Sequence, residues 1–273
     1  MADEHWTLDD IPWHAFEPAK VDPELTCIVK AASLVEYNGG DYARYLRNIF
    51  SDDEEFREAA IVWAREEVQH GEALGRWAKL ADPSFDFEAA FKRFTDGYSI
   101  PVDSTQSVRG SRSGELVARC IVETGTSSYY AALGEASEEP VLKAICKKIA
   151  ADELCHYKLF YSYLKRYLEK ENIGRLRRLM VALSRIRESE DDELAYAYYA
   201  ANAGEEHYDR ERWCREYRRL AYGYYRSHHI ERAVKMGFKA AGLSPQSRLA
   251  RYVAGGAFCL IKRRHAEDLR AVA

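Results

Sequence analysis

The sequence predicts an all-α fold: a four-helix bundle with one long crossover, followed by additional C-terminal helices. Three observations carry this. Apolar residues recur at alternating steps of three and four over long stretches, strand-like alternation appears nowhere at length, and only 7 prolines interrupt 273 residues. A hydrophobic content of 47% beside 31% charged residues belongs to a folded chain and excludes a disordered one. The length suits a single domain over 1–273, with the bundle at about 22–171 and the additional helices at about 174–270.

The first twenty or so residues, with Trp6, Trp13 and two prolines, read as an ordered arm packed on the domain. Asp22-Pro23-Glu24 supplies an N-cap, a first-turn proline and an acid at the positive end of the helix dipole, and opens helix one, which runs to about Phe50. Asn38-Gly39-Gly40-Asp41 resembles a stop, but the apolar phase persists across it, so one continuous helix with a close contact or local irregularity at the glycines is expected. Ser51-Asp52-Asp53-Glu54 reads as a capping box for helix two, to about Leu80. Residues 82–112, rich in Pro, Gly, Ser, Phe and Asp, form the crossover with one short helix. Helix three covers about 113–135, and Glu138-Glu139-Pro140 starts helix four, to about Glu171. Two helices, a long connection and two more helices is the connectivity of ferritin-like bundles. Beyond Gly174 the pattern stays helical, with breaks near 188–192, 203–210 and Ser244-Pro245.

A formal net charge of −4 gives no global reason to expect nucleic acid or an anionic membrane as partner, so any basic docking surface is local. The amino terminus lacks a basic then apolar signal, and the longest weakly polar run, Tyr252 to Ile261, is too short to cross a bilayer. A cytoplasmic protein without a transmembrane segment is expected. Six scattered cysteines without a Cys-x-x-Cys pair read as free buried thiols.

The chemistry lies on the inward seams. Helix two gives Phe56, Ala60, Trp63, Glu67, His70, Leu74 and Trp77; helix four gives Leu142, Ile145, Ile149, Glu153, His156, Phe160 and Tyr163. In each, Glu-x-x-His interrupts an apolar stripe that then resumes. Helix three contributes Glu123 and helix one Glu36, each alone on a small or apolar seam. Four glutamates and two histidines in this distribution match the ligand set of carboxylate-bridged di-iron or di-manganese proteins. Unpaired buried carboxylates cost several kcal/mol each, so the group requires partners, and two divalent cations would balance four glutamates. One Glu-x-x-His arises about once by chance in such a chain, whereas two on helical seams, with lone glutamates on the other two helices, do not. Neither motif is the His-Glu-x-x-His of a zinc protease. Glu205-Glu206-His207 and His228-His229 lack this spacing and read as surface caps.

Around the ligands the chain resembles the soluble acyl-acyl carrier protein (ACP) desaturases, the ferritin-like group typified by plant stearoyl-ACP desaturase. Trp63-Ala-Arg-Glu66-Glu67-Val-Gln-His70-Gly71 is similar to the family's Trp-x-x-Glu-Glu-x-x-His-Gly, Ile149-Ala150-Ala151-Asp152-Glu153-Leu-Cys-His156 to its Ile-Ala-Ala-Asp-Glu-x-x-His, and Glu123-Thr-Gly-Thr126 to its Glu-x-x-Thr. The resemblance covers about residues 25–170. Tyr157 stands where the family usually has Glu, the chain is shorter than plant members, and the region after 174 has no counterpart.

The resemblance implies two iron ions held by Glu36, Glu67, His70, Glu123, Glu153 and His156, with O₂ as co-substrate. It implies Asp152 and Trp63 beside the first histidine as an electron route, and Thr126 beside the oxygen site. It also implies an acyl chain on ACP as substrate, a ferredoxin-like electron donor and a homodimer. Tyr130, Phe160, Tyr163, Gly125 and Ala131 could line the acyl slot; the plain alternative for tyrosines at helical spacing is core packing. Arg175, Arg177, Arg178, Arg185 and Arg187, with Lys262-Arg263-Arg264, would offer ACP a basic surface; the plain alternative is a solvated charged face. Three rival readings stay open: a di-iron hydroxylase or N-oxygenase on a non-ACP substrate, an iron-handling ferritin-like protein, and a metal-free interaction bundle.

Overall fold

The computed structural model describes residues 5–189, 193–204 and 206–272, and all regular structure in them is helical. Three short 3-10 turns at Leu8–Asp10, Trp13–Ala15 and Pro18–Lys20 make up the arm, which packs on the body through the buried Ile11. The α-helices follow in chain order: α1 Pro23–Tyr37, α2 Gly39–Ile49, α3 Glu54–Ala81, α4 Phe87–Gly97, α5 Arg112–Ala136 and α6 Pro140–Glu171. Beyond the bundle come α7 Arg175–Ser189, α8 Glu193–Asn202, α9 Arg210–Tyr224, α10 Ser227–Ala240 and α11 Arg248–Val272.

Local chemistry sets the boundaries. Asp22 accepts from the Glu24 and Leu25 amides ahead of Pro23, Asp86 from Ala89 and Ser111 from Gly114. Glu139, although buried, caps α6 by accepting from the Val141 and Leu142 amides, with Pro140 at the first position. α6 ends at Asn172, which takes the left-handed conformation at φ 49°. The cap of α3 is Asp53, accepting from the Phe56 amide, rather than Ser51 as the capping-box pattern suggested. The carboxylate there also takes the Tyr167 hydroxyl and Arg166, so tertiary partners select Asp53.

The continuous first helix does not form. It divides at Asn38, where ψ is 8°, into α1 and α2, so that Glu36 stands in the last turn of α1. The close contact expected at the glycines is present. A Cβ on Gly39 would lie 2.6 Å from Glu67 Cβ, and one on Gly71 would lie 2.5 Å from the Tyr37 amide nitrogen. The chain bends where two glycines let α1–α2 and α3 touch backbone to backbone.

α1 with α2, α3, α5 and α6 form the four-helix bundle, and α4 with the segment to Ser111 is the crossover. Every inward-seam position is buried, and the apolar core divides into two clusters. One holds Leu25, Ile28, Leu74, Trp77, Leu142 and Ile145; the other holds Phe50, Phe56, Trp63, Leu116, Phe160 and Leu164. Each large side chain contributes about 1.5–3 kcal/mol by leaving water, and the polar residues of the seams sit between the two clusters. α8 packs on α1 and α4, α7 and α10 pack on α5, and α11 on α9 and α10. The breaks expected at 203–210 and Ser244-Pro245 are present, residues 190–192 lie outside the described residues, and a further break falls between Tyr224 and Ser227. Among the described residues no helix is long and apolar enough to cross a membrane. Cys120, Cys146 and Cys214 are buried free thiols, whereas Cys155 and Cys259 are exposed, against the expectation that all six are buried.

Candidate metal centre

α3 and α6 carry the same run of side chains: acid, glutamate and, three residues later, histidine. It reads Glu66, Glu67, His70 in α3 and Asp152, Glu153, His156 in α6. Residues three apart share a helix face while adjacent ones diverge by about 100°. Glu67 with His70 and Glu153 with His156 therefore face the core, and Glu66 and Asp152 stand at its margin. α5 adds Glu123 and α1 adds Glu36, and none of the six inward groups is more than 9% exposed.

The six converge. One ligand atom from each of Glu36, Glu67, His70 and Glu153 lies within 4.8 Å of the others, and Glu67, Glu123, Glu153 and His156 form a second such set. That spread is close to twice a metal–ligand bond of about 2.1 Å, so each set can hold a metal ion. Glu67 and Glu153 belong to both sets.

The histidines are oriented for this. His70 Nε2 is 3.0 Å from Asp152 Oδ2, and His156 Nε2 is 2.7 Å from Glu66 Oε2. An ionised carboxylate only accepts, so each Nε2 carries a proton and each Nδ1 is turned toward the centre, where it can bind a metal once its own proton is displaced. His70 Nδ1 lies 3.4 Å from Glu153 Oε1 and 3.6 Å from Glu36 Oε2; His156 Nδ1 lies 3.0 Å from Glu67 Oε1 and 3.6 Å from Glu123 Oε2. One buried atom from each of the six residues, Glu36 Oε2, Glu67 Oε1, His70 Nδ1, Glu123 Oε1, Glu153 Oε1 and His156 Nδ1, has no hydrogen-bond partner. Buried polar atoms seldom go unpaired. Six orphans facing one another fit a group bound among them.

Ionisation follows from the crowding. Burial, then the neighbouring Glu153 charge, pushes the Glu123 carboxyl up to about 8. Burial with Glu153 and Glu36 lifts Glu67 well above the carboxylate range. Burial opposes charge on both histidines, but the hydrogen bonds they donate to surrounding carboxylates, and the attraction of those charges, outweigh it and raise both well above the ordinary histidine value. Burial likewise opposes charge on Glu36, and the nearby charge of His70 with the Tyr130 hydroxyl outweighs it, so that carboxyl lies below its ordinary range. Without a cation, the cluster neutralises itself by holding protons.

Two hydroxyls finish the centre. Tyr130 donates to Glu36 Oε1 at 2.5 Å, and Thr126 donates to Glu153 Oε2. Trp63, expected beside the first histidine with Asp152, instead packs edge-on to the second, with its ring 6.4 Å from that of His156. The indole at Asp152 is Trp6 of the arm. Its Nε1 donates to Asp152 Oδ2 at 2.5 Å, its ring stacks on His70 at 6.0 Å, and Gln69 donates to its carbonyl. His5 Nε2 adds a contact of 3.2 Å to Asp152. Glu66 was legible as the acid preceding Glu67, in parallel with Asp152. Nothing in the sequence joined Trp6 to a residue 146 positions away.

A cavity of about 50 Å³ lies against the cluster, bordered by Trp63, Arg119 and Thr126. Adjoining it, with Glu36 and Thr126 in both walls, is a cavity of about 260 Å³ between α5 and the C-terminal helices. Tyr129, Tyr130, Tyr217, Tyr222 and Tyr225 line it, with Arg185 and Glu193 at the junction. Of the expected lining, Tyr130 and Gly125 are present. Ala131 is absent from the walls, and Phe160 and Tyr163 pack with Phe56 in the core instead. Tyr157 donates to the Met236 carbonyl at 2.9 Å.

Of the other candidates, Glu206 pairs with Arg212, and Glu205 lies outside the described residues. His228 and His229 meet Glu135 at 2.8 and 3.0 Å, a third grouping of metal-ligating types. His229, however, is buried and accepts the Arg226 amide at Nδ1, so its remaining Nε2 carries the proton and it caps α10 rather than offering a lone pair. The chain matches no protein-family model and no curated protein.

Proposed function

We propose that this protein is a di-iron, O₂-dependent oxidoreductase that removes hydrogen from an acyl chain, most specifically by introducing a double bond into a chain carried on ACP. The observation that carries this reading is the set of six unpaired ligand atoms converging from four helices, two of their glutamates shared. Oxygen and imidazole donors in this arrangement suit iron with open coordination positions. In this reading Glu36, Glu67, His70 and Glu153 hold one ion and Glu67, Glu123, Glu153 and His156 the other. Bound ferrous iron supplies the site at which O₂ is reduced and the oxidising power that takes hydrogen from carbon.

The protein's own residues do the rest. Asp152 and Glu66 hold the imidazoles with Nδ1 inward. Thr126 fixes one oxygen of Glu153 and borders both cavities, where the reacting carbon would lie. The tyrosine wall supplies apolar ring surface and keeps water from that carbon. An electron route through Asp152 runs by way of Trp6, which reaches it from the arm. Two hydrogens leave adjacent carbons with their electrons and, together with two electrons from a ferredoxin-like donor and two protons, reduce O₂ to two waters.

One observation favours a second reading. A cavity of about 260 Å³ falls below the usual ligand-pocket range of about 300–1,000 Å³. Arg185 and Glu193 stand at its inner end, which suits hydroxylation of a compact substrate without a carrier. Mass spectrometry after incubating iron-loaded protein with acyl-ACP, reductant, donor and O₂ decides. Loss of two hydrogens is the expected result, whereas gain of one oxygen atom selects the second reading. Ferrous oxidation with mineral formation and no organic product would make this an iron-handling protein.

A further inference from the structure

Nine of the twelve exposed large apolar side chains among the described residues lie on two helices, α7 and α11. On α7, Leu176, Met180 and Leu183 follow at steps of four and three, one face of the helix, and are 71%, 56% and 52% exposed. On α11 the exposed face begins at Leu249, Tyr252 and Val253 and continues to Leu260, while Ile261 turns to the cavity. α11 is attached by a narrow seam: Ala250 and Ala254 are buried, and Asp268 is held by both Arg218 nitrogens at 3.0 and 3.2 Å. Its wide face is left outward.

The two helices approach one another across a cavity. Arg178 of α7 rests against Gly242, in the turn before α11, and Ile186 and Ile261 border the same large cavity further along. Together α7 and α11 carry eleven arginines and lysines against three acids, in a chain whose net charge is −4. Those acids are engaged: Glu188 with Arg109, Glu267 with Arg263 and Asp268 with Arg218. Arg175, Arg177 and Arg178 stand in the first turn of α7, where positive charge opposes the helix dipole, so helix stability does not explain them.

We propose that the joint face of α7 and α11 seats on an anionic lipid bilayer. Leucine, methionine and tyrosine would enter the headgroup boundary while the flanking arginines meet lipid phosphates, the profile of an interfacial helix. Charge complementarity decides against a second copy, because a two-fold contact would set the α7 arginines against themselves. On α11 the exposed apolar residues that share one face run from Leu249 to Leu260, about 17 Å. The cavity bordered by Ile186 and Ile261 would then lie beside the bilayer.

Co-sedimentation of the full chain with phosphatidylcholine vesicles, with and without phosphatidylglycerol, tests this. Binding is expected to be at least about ten-fold stronger with phosphatidylglycerol. Leu176→Glu with Leu183→Glu is expected to weaken it by about ten-fold, and so, independently, is Leu249→Glu with Tyr252→Glu. These side chains are exposed, and unchanged circular-dichroism melting would verify folding. No sedimentation with phosphatidylglycerol, or equal binding by all variants, would overturn the proposal. So would a dimer that both pairs of substitutions return to monomer without any vesicle binding, or loss of acyl-ACP binding alone. Neither metal content nor turnover enters the readout.

Discussion

Asp152 Oδ2 lies 3.0 Å from His70 Nε2, so the acid that opens the second motif orients the histidine that closes the first. The relation is reciprocal, since Glu66 of the first motif meets His156 of the second at 2.7 Å. Each histidine is fixed by an acid on the opposite helix, and the two motifs build one centre. Asp152→Asn and Glu66→Gln are each expected to lower metal affinity by about 10–100-fold, since neither removes a ligand but both release a ring. Competition with a chromophoric chelator measures this, and affinity within two-fold of the parent for both variants would refute the role.

Sharing of Glu67 and Glu153 predicts an unequal response to losing single ligands. Metal analysis should find two iron ions per chain in the parent. Glu36→Ala and Glu123→Ala should each leave one, because each belongs to one set. Glu67→Ala and Glu153→Ala should leave none, because each belongs to both. Loss of both ions from Glu123→Ala would mean that the sites are not built as described.

The metal-free protein should become less stable as pH rises from about 4.5 to about 8. Glu123 is raised from an ordinary 4.5 to about 8 in the folded chain, and His70 and His156 are raised as well. Between those values the folded state holds more protons than the unfolded state, so stability falls with increasing pH. Glu36 is shifted the other way, and its contribution is lost only on acidification below 4.5, outside this window. Divalent cations displace the protons and should flatten or reverse the trend, with measurable proton release on loading. Melting temperatures of chelated and iron-loaded protein across this range provide the comparison.

Gly39→Ala and Gly71→Ala should each cost about 1–3 kcal/mol, the usual penalty of overpacking. The added Cβ at Gly71 would meet Tyr37 backbone, which cannot rotate away, and the one at Gly39 would meet the Cβ of Glu67. Gly125→Ala, with open space around it, should cost far less. Denaturant titration gives all three values, and Gly39→Ala should also weaken metal binding because it displaces Glu67.

The helices and the inward-facing ligands were legible because an α-helix repeats every 3.6 residues, so one stretch of sequence already states which side chains share a face. Glu67 with His70 and Glu153 with His156 are local relations of that kind. Glu36 and Glu123 could be placed on their seams by the same periodicity. Only packing decided that the chain bends at Asn38, that Asp53 rather than Ser51 caps α3, that Trp6 rather than Trp63 reaches Asp152, and that the C-terminal helices wall the cavity. These are contacts between segments distant in sequence, and the geometry that brings them together exists only once the helices have docked.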